Sequence, residues 1–234
     1  MKMPIHTYTK WNSRPFDNEE QIEPFRKYVF ICEGANTETF YFKRLIDNRK
    51  QLGIHPLIDM CLWEKTEGDR SISYAKQLYA FAEEQKTVLD NSFDPERDKM
   101  VIVFDGDVFE EKVQGYNELI NSIEKNDIAA VTNPAFELFL ILHIDGSYEQ
   151  YIRGHESDYL RKDEDGKYSY AYKVLHELTG MNSKKNREIG KLADNIFIAI
   201  EQEKRINQDA HNIKGNVSSN IGKILEAIIN EKPN

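Results

Sequence analysis

The sequence predicts an α/β domain of Rossmann-like type, its mainly parallel sheet flanked by helices, followed by a C-terminal helical extension. Three observations predict it. The runs KYVFIC, LIDMCLW, KMVIVF and DIAAV are too continuously apolar to have a wet face. Helical stretches of ten or more residues alternate with them, as parallel strands require. Beyond about residue 146 this alternation stops and helical segments take over.

Residues 1–26 are polar without a sustained period and read as an N-terminal arm. KYVFICE is the first strand, and TETFYFKRLIDNRKQL the first helix, with Thr37 at its N-cap. LIDMCLWE (57–64) is the second strand, followed by a helix from about Ser71 to Val88. KMVIVF (99–104) is the third strand, followed by a helix from about Glu110 to Lys125. DIAAV (127–131) is the fourth strand, with a helix starting at Pro134. The core is therefore expected over 27–146. Residues 147–234 are expected as a helical extension packed on it: a polar, tyrosine-rich stretch helical in pieces, then helices at about Ile189–Arg205 and Val217–Ile229.

A chain of 234 residues supports one main core, and 40% hydrophobic with 30% charged residues indicates a folded protein rather than a disordered one. The longest apolar segment, AFELFLILHI (135–144), is half the length of a membrane span and contains Glu137 and His143, so a buried helix is expected. The N-terminus has no apolar signal core, and a cytoplasmic protein without a membrane partner is expected. Cys32 and Cys61 lie inside strands, outside any metal-binding spacing, and read as buried free thiols. The net charge of −9 argues against salt-driven DNA binding by surface lysines alone, whereas a nucleic-acid substrate remains compatible if metal ions offset the acids.

In an open parallel sheet, ligands bind beyond the carboxyl ends of the strands. Glu33 ends the first strand and is followed by Gly34; the third strand runs into Asp105-Gly106-Asp107. If those strands are neighbours, three carboxylates meet at one edge, and an oxygen-only donor set suits Mg²⁺ or Mn²⁺ completed by substrate phosphate. Gly34 would let backbone approach the substrate, and Gly106 would let both aspartates turn to one site. Each pattern alone has a plainer explanation, since Asp-Gly is a common turn pair and an acid after a strand often caps a helix. Glu38 reads equally as a supporting acid and as a favourable charge in a helix first turn.

In TNPAFELFLILH, Asn133 reads as an N-cap, Pro134 as the first helical residue, and Glu137 as an acid on the face of Asn133. An acid among Phe136, Leu138 and Phe139 is expected to face the site or an arginine, because burying it unpartnered is costly. His143 lies on a different face and reads as structural. NSKKNREIGK (182–191) is a basic patch whose Lys184 and Lys185 belong to a solvated helix start or contact phosphate; Arg70, after the second strand, could approach a phosphate at the same edge. Nucleophile-elbow, Walker A and GxGxxG patterns are absent from the sequence, so acyl transfer and P-loop nucleotide hydrolysis lack support.

CEGANTETFYF, VFDGDVF and NPAFELFLILH, in this order across 29–144, resemble the successive signature blocks of the RloB family. That resemblance implies a Toprim-like fold, with Glu33 in acid/base or metal chemistry and Asp105 and Asp107 holding Mg²⁺. It also implies an antiphage role, often beside an ATPase of ABC or SMC-like type. The helical C-terminal part carries no comparable block.

The expected function is a Mg²⁺-dependent nuclease of RNA or DNA, an effector of abortive infection controlled by a partner ATPase. Two rivals stand beside it: another phosphotransfer on the same metal site, and a non-enzymatic subunit regulating the ATPase. The oligomeric state, a homo-oligomer included, is left open by the sequence.

Overall fold

The structure, a computed structural model, describes residues 6–9, 24–66, 69, 72, 74–88, 92–106, 115–161 and 168–233. Its centre is a six-stranded sheet of order β1-β3-β2-β4-β5-β6, built from β1 (His6–Tyr8), β2 (Arg26–Cys32), β3 (Ile58–Glu64), β4 (Lys99–Asp105), β5 (Ile128–Asn133) and β6 (Ser218–Ser219). The four inner strands run parallel; β1 on β3 and β6 on β5 pair antiparallel at the edges. The mixed α/β class and the mainly parallel sheet expected from the sequence are present.

The alternation of side chains along a strand divides the core in two. From β2, Phe30 and Cys32 enter one layer with Tyr41, Phe42, Phe136 and Phe139, while Val29 and Ile31 enter the other with Trp63, Leu78, Phe104 and Ile120. Both faces are covered, which is why the strands read as unbroken apolar runs. The first layer is covered by α1 (Thr37–Asp47) and α4 (Phe136–Ile141), the second by α2 (Ala75–Lys86) and α3 (Tyr116–Glu124).

The C-terminal segment is integral to this architecture. After a π-helical turn (Tyr148–Ile152) and α5 (Glu156–Leu160) come α6 (Tyr170–Thr179), a 3-10 helix (Arg187–Asn195), α7 (Ile196–Glu203) and α8 (Ile221–Asn230). Leu175, Ile196, Ile221 and Leu225 join the first core layer. Asn220 extends the edge of β5 with its side chain: Oδ1 accepts from Val131 N–H at 2.7 Å and Nδ2 donates to the Ala129 carbonyl at 2.8 Å.

Three local readings are corrected. Thr37 is the first residue of α1, and Asn36 precedes it as N-cap. Asn133 is the last residue of β5, joined to Pro134 by a cis peptide bond, and α4 begins only at Phe136. The Asn133 amide donates to the carbonyls of Ile213 and Asn216, so it serves the C-terminal loop rather than a helix cap. The helix expected from Ile189 to Arg205 is a 3-10 helix followed by α7.

Candidate functional site

β2 and β4 are neighbours, so their carboxyl ends share one edge. Glu33 continues the ladder past β2, its N–H donating to the Val103 carbonyl at 2.9 Å. Asp105 ends β4 and accepts at Oδ1 from the Thr132 hydroxyl of β5 at 2.8 Å. Gly106 N–H donates to the Thr132 carbonyl at 2.6 Å. The two glycines have roles the sequence did not reveal. A Cβ on Gly106 would lie 2.6 Å from Ile213 Cδ1, so the C-terminal loop closes over this turn. A Cβ on Gly34 would lie 2.1 Å from Glu38 Oε2, so the space is taken by a carboxylate of this chain.

Two helices add acids to the same edge. Glu38, in the first turn of α1, and Glu137, in the first turn of α4, are both buried. Glu137 Oε1 accepts from the Ser183 hydroxyl at 2.9 Å, and no arginine pairs with it among the described hydrogen bonds and ion pairs. Burial pushes the Glu38 carboxyl up to about 7; the Glu137 charge adds to the rise, while the Glu38 backbone N–H, Lys65 and Lys184 oppose it. Burial also holds Asp105 well above the usual carboxylate range, reinforced by the charges of Glu38, Glu137 and Glu33 and opposed by the Thr132 hydroxyl. Glu33, Glu38, Asp105 and Glu137 therefore share one electrostatic field.

Lys65 was missed in the sequence reading. It follows β3, the strand beside β2, and its ammonium donates to the Glu33 carbonyl and, at 2.9 Å, to that of Ile72. Burial lowers its pKa, against the charges of Cys32, Glu33, Glu38 and Asp69. The strand-end rule that singled out Glu33 would have found it. Ser183, inside the basic patch, gave no such signal. Lys184 is exposed and its charge reaches Glu38, whereas Lys185 is exposed on the same turn, its N–H bonded to the Asn182 carbonyl at 3.1 Å. Asp107 and Arg70 lie outside the described residues.

His143 is fully buried and accounted for by the fold. Nδ1–H donates to the Phe139 carbonyl at 2.9 Å, which leaves Nε2 to accept from the Tyr41 hydroxyl at 2.9 Å. Asn133 is different: its Oδ1 is buried with no hydrogen-bond partner among the described residues, although its amide donates to two carbonyls.

The donor chemistry fits a hard divalent cation, since the neighbouring carboxylate charges that add to the rise at Glu38 and Asp105 would be offset by a positive ion. Among the described residues, no three His, Cys, Asp or Glu side chains stand close enough to surround one ion. Asp105 is thus the described carboxylate on which the charges of Glu38, Glu137 and Glu33 converge, and Asp107 follows it two residues later in the sequence.

A protein-family model described as RloB-like protein matches residues 28–228. The chain belongs to the RloB-like family. The match runs from β2 into α8, so the family unit includes the C-terminal helices as well as the signature blocks of the first half. Glu33, Asp105, Glu137 and the closing loop before β6 all lie within the matched range. Searches of curated proteins and of solved structures returned no match. Among the described residues, no helix is long and apolar enough to cross a membrane.

Proposed function

We propose that this RloB-like protein is a Mg²⁺- or Mn²⁺-dependent, Toprim-like nuclease acting on phosphodiester bonds of RNA or DNA. The observation that carries the reading is the meeting of Glu33 and Asp105 on adjacent strand ends, inside the field of Glu38 and Glu137. Glu33, Asp105 and Asp107 would hold the ion, which when bound neutralises the phosphate and steadies the leaving oxygen.

The chain's own residues supply the rest. Glu38, pushed up to about 7, is suited to hold a proton near neutral pH and release it to or take it from a reacting oxygen. Lys65 fixes the backbone at Glu33 and brings a positive charge to an otherwise acidic edge. Ser183 orients the Glu137 carboxylate. In the cell, the proposed role is that of an effector in antiphage abortive infection, held in check by a partner ATPase of ABC or SMC-like type, as the family resemblance implies.

Induced expression in bacteria of the wild type, Glu33→Ala and Asp105→Ala, with growth and total RNA and DNA integrity followed together, tests this. Toxicity with nucleic-acid fragments, lost in both variants, is expected. Fragmentation that survives Glu33→Ala overturns the site assignment, and toxicity with intact nucleic acid points to the other phosphotransfer. Unchanged growth with intact nucleic acid, even when the ATPase is co-expressed, favours the regulatory subunit.

A further inference from the structure

The proposed chemistry uses only Ser183 of the basic stretch NSKKNREIGK (182–191), yet the fold ties that stretch to the acids from both ends. At one end the buried Ser183 donates its hydroxyl to Glu137 of α4 at 2.9 Å. At the other, the 3-10 helix packs on α1, the helix of Glu38, so closely that a Cβ on Gly190 would collide with the Phe40 carbonyl. The turn between these anchors therefore spans the two helices that carry the buried glutamates.

Asn182 closes the turn three ways: its carbonyl accepts from Lys185 N–H at 3.1 Å and Asn186 N–H at 2.8 Å, and its Oδ1 accepts from Lys184 N–H at 3.1 Å. Asn186 then caps the 3-10 helix, its side chain accepting from Glu188 N–H at 3.0 Å. The backbone of Lys184 is thus fixed beside Ser183. Nearby cations are engaged: Lys191 pairs with Glu188, Arg44 with Asp194, and Arg187 lies over the Phe40 ring, 6.0 Å from its centroid. Lys184 is exposed and has no side-chain hydrogen bond or ion pair among the described residues. Its charge is nonetheless felt at Glu38, where it opposes the rise caused by burial. It is a placed cation that the protein itself does not consume.

We propose that the Lys184 ammonium binds a phosphodiester phosphate of a polynucleotide at the edge of the acid cluster. Glu33, Glu38, Asp105 and Glu137 repel a polyanion, and on a chain of net charge −9 its approach needs cations in fixed places. Lys184 supplies one on the side of α1 and α4. An ammonium is a compact point charge that holds a phosphate without reading the bases. The contact therefore secures the strand against the site and does not select its sequence. The proposal rests on the nuclease reading for its substrate class, although binding can be measured without cleavage.

The test is fluorescence anisotropy of labelled oligothymidine, oligouridine and ATP over a range of salt, with the full chain in the Glu33→Gln background and Mg²⁺ present. Lys184→Ala is expected to weaken both oligonucleotides alike, about tenfold or more, and to lower the slope of log affinity against log salt by about 0.7, the share of one single-strand phosphate contact. Lys184→Arg is expected to restore both, and the melting temperature to stay unchanged because the side chain is exposed. Lys185→Ala removes the same charge one residue on and is expected to cost less. Equal losses in Lys184→Ala and Lys185→Ala would mean overall charge rather than a placed contact and overturn the proposal, as would unchanged affinity in Lys184→Ala or no binding by the parent. Lys184-dependent binding of ATP with neither oligonucleotide bound would overturn the assignment to a polynucleotide. In the otherwise wild-type chain, Lys184→Ala is expected to raise KM for cleavage with kcat little changed. Lys184-dependent binding by a wild type that cleaves nothing would remove the nuclease reading and leave the contact; cleavage with a KM indifferent to Lys184 would do the reverse.

Discussion

The carboxylate of Glu38 occupies the volume that a side chain on Gly34 would need: a Cβ there would lie 2.1 Å from Oε2. Strand end and helix start are thus fitted to each other so that two acids, Glu33 and Glu38, reach one edge. Gly34→Ala must displace the Glu38 carboxylate, a flexible group that can yield. Stability is expected to fall by no more than about 1 kcal/mol, while activity falls at least about tenfold. Thermal denaturation beside a cleavage or toxicity assay checks this; full activity would mean that Glu38 is not needed in its present place.

Burial, reinforced by like charges, holds Asp105 well above the usual carboxylate range, so its ionised form opposes folding when no cation is bound. Asp105→Asn is expected to raise the melting temperature in chelator and to abolish stabilisation by added Mn²⁺. For the wild type, an ion at a hundred times its Kd adds about 2.7 kcal/mol. An equal Mn²⁺ shift in both proteins would place the ion elsewhere.

His143 gives a pH dependence of definite sign. Burial lowers its pKa from 6.5 to about 4, so the folded state prefers the neutral ring and the unfolded chain binds a proton first. The stability from this group is fully present above 6.5 and is lost as pH falls through about 4, an effect of about 3 kcal/mol. Urea unfolding of the wild type between those limits should steepen with pH by about one proton relative to His143→Gln. Equal slopes would show that the ring is protonated in the fold.

Glu203 locks the C-terminal helices to the sheet edge. It is fully buried and accepts from Ser219 Oγ at 2.5 Å and from Gly222 N–H, Lys223 N–H and Gln208 Nε2, each at 2.8 Å. Glu203→Ala strands those donors and should destabilise the whole chain by about 3 kcal/mol in one cooperative transition. Separate melting of the C-terminal part would contradict the single shared core.

The parallel sheet was legible because its strands are buried on both faces, and Glu33 and Asp105 were legible because an acid directly after such a run marks a strand end. What eluded the sequence depends on partners far along the chain. Ser218–Ser219 is too short and polar to announce a strand and forms one only against Thr132 and Asn133. Asn133 resembled a helix cap because Asn before Pro usually starts a helix, yet its amide is claimed by Ile213 and Asn216, about eighty residues away. Ser183 acquires its meaning only by meeting Glu137. Lys65 was within reach, being a strand-end residue like Glu33, but a single lysine after a strand has no pattern of its own.

The most direct measurement is cleavage of end-labelled single-stranded and duplex RNA and DNA by the purified protein, with and without the proposed ATPase, in Mg²⁺, Mn²⁺ or chelator. Glu33→Gln and Asp105→Asn are run in parallel. A metal nuclease at this sheet edge predicts metal-dependent cleavage in the wild type, none in chelator, and a loss of at least about a hundredfold in each variant. Cleavage that survives chelator or either substitution, or no cleavage of any substrate under any of these conditions, would contradict it.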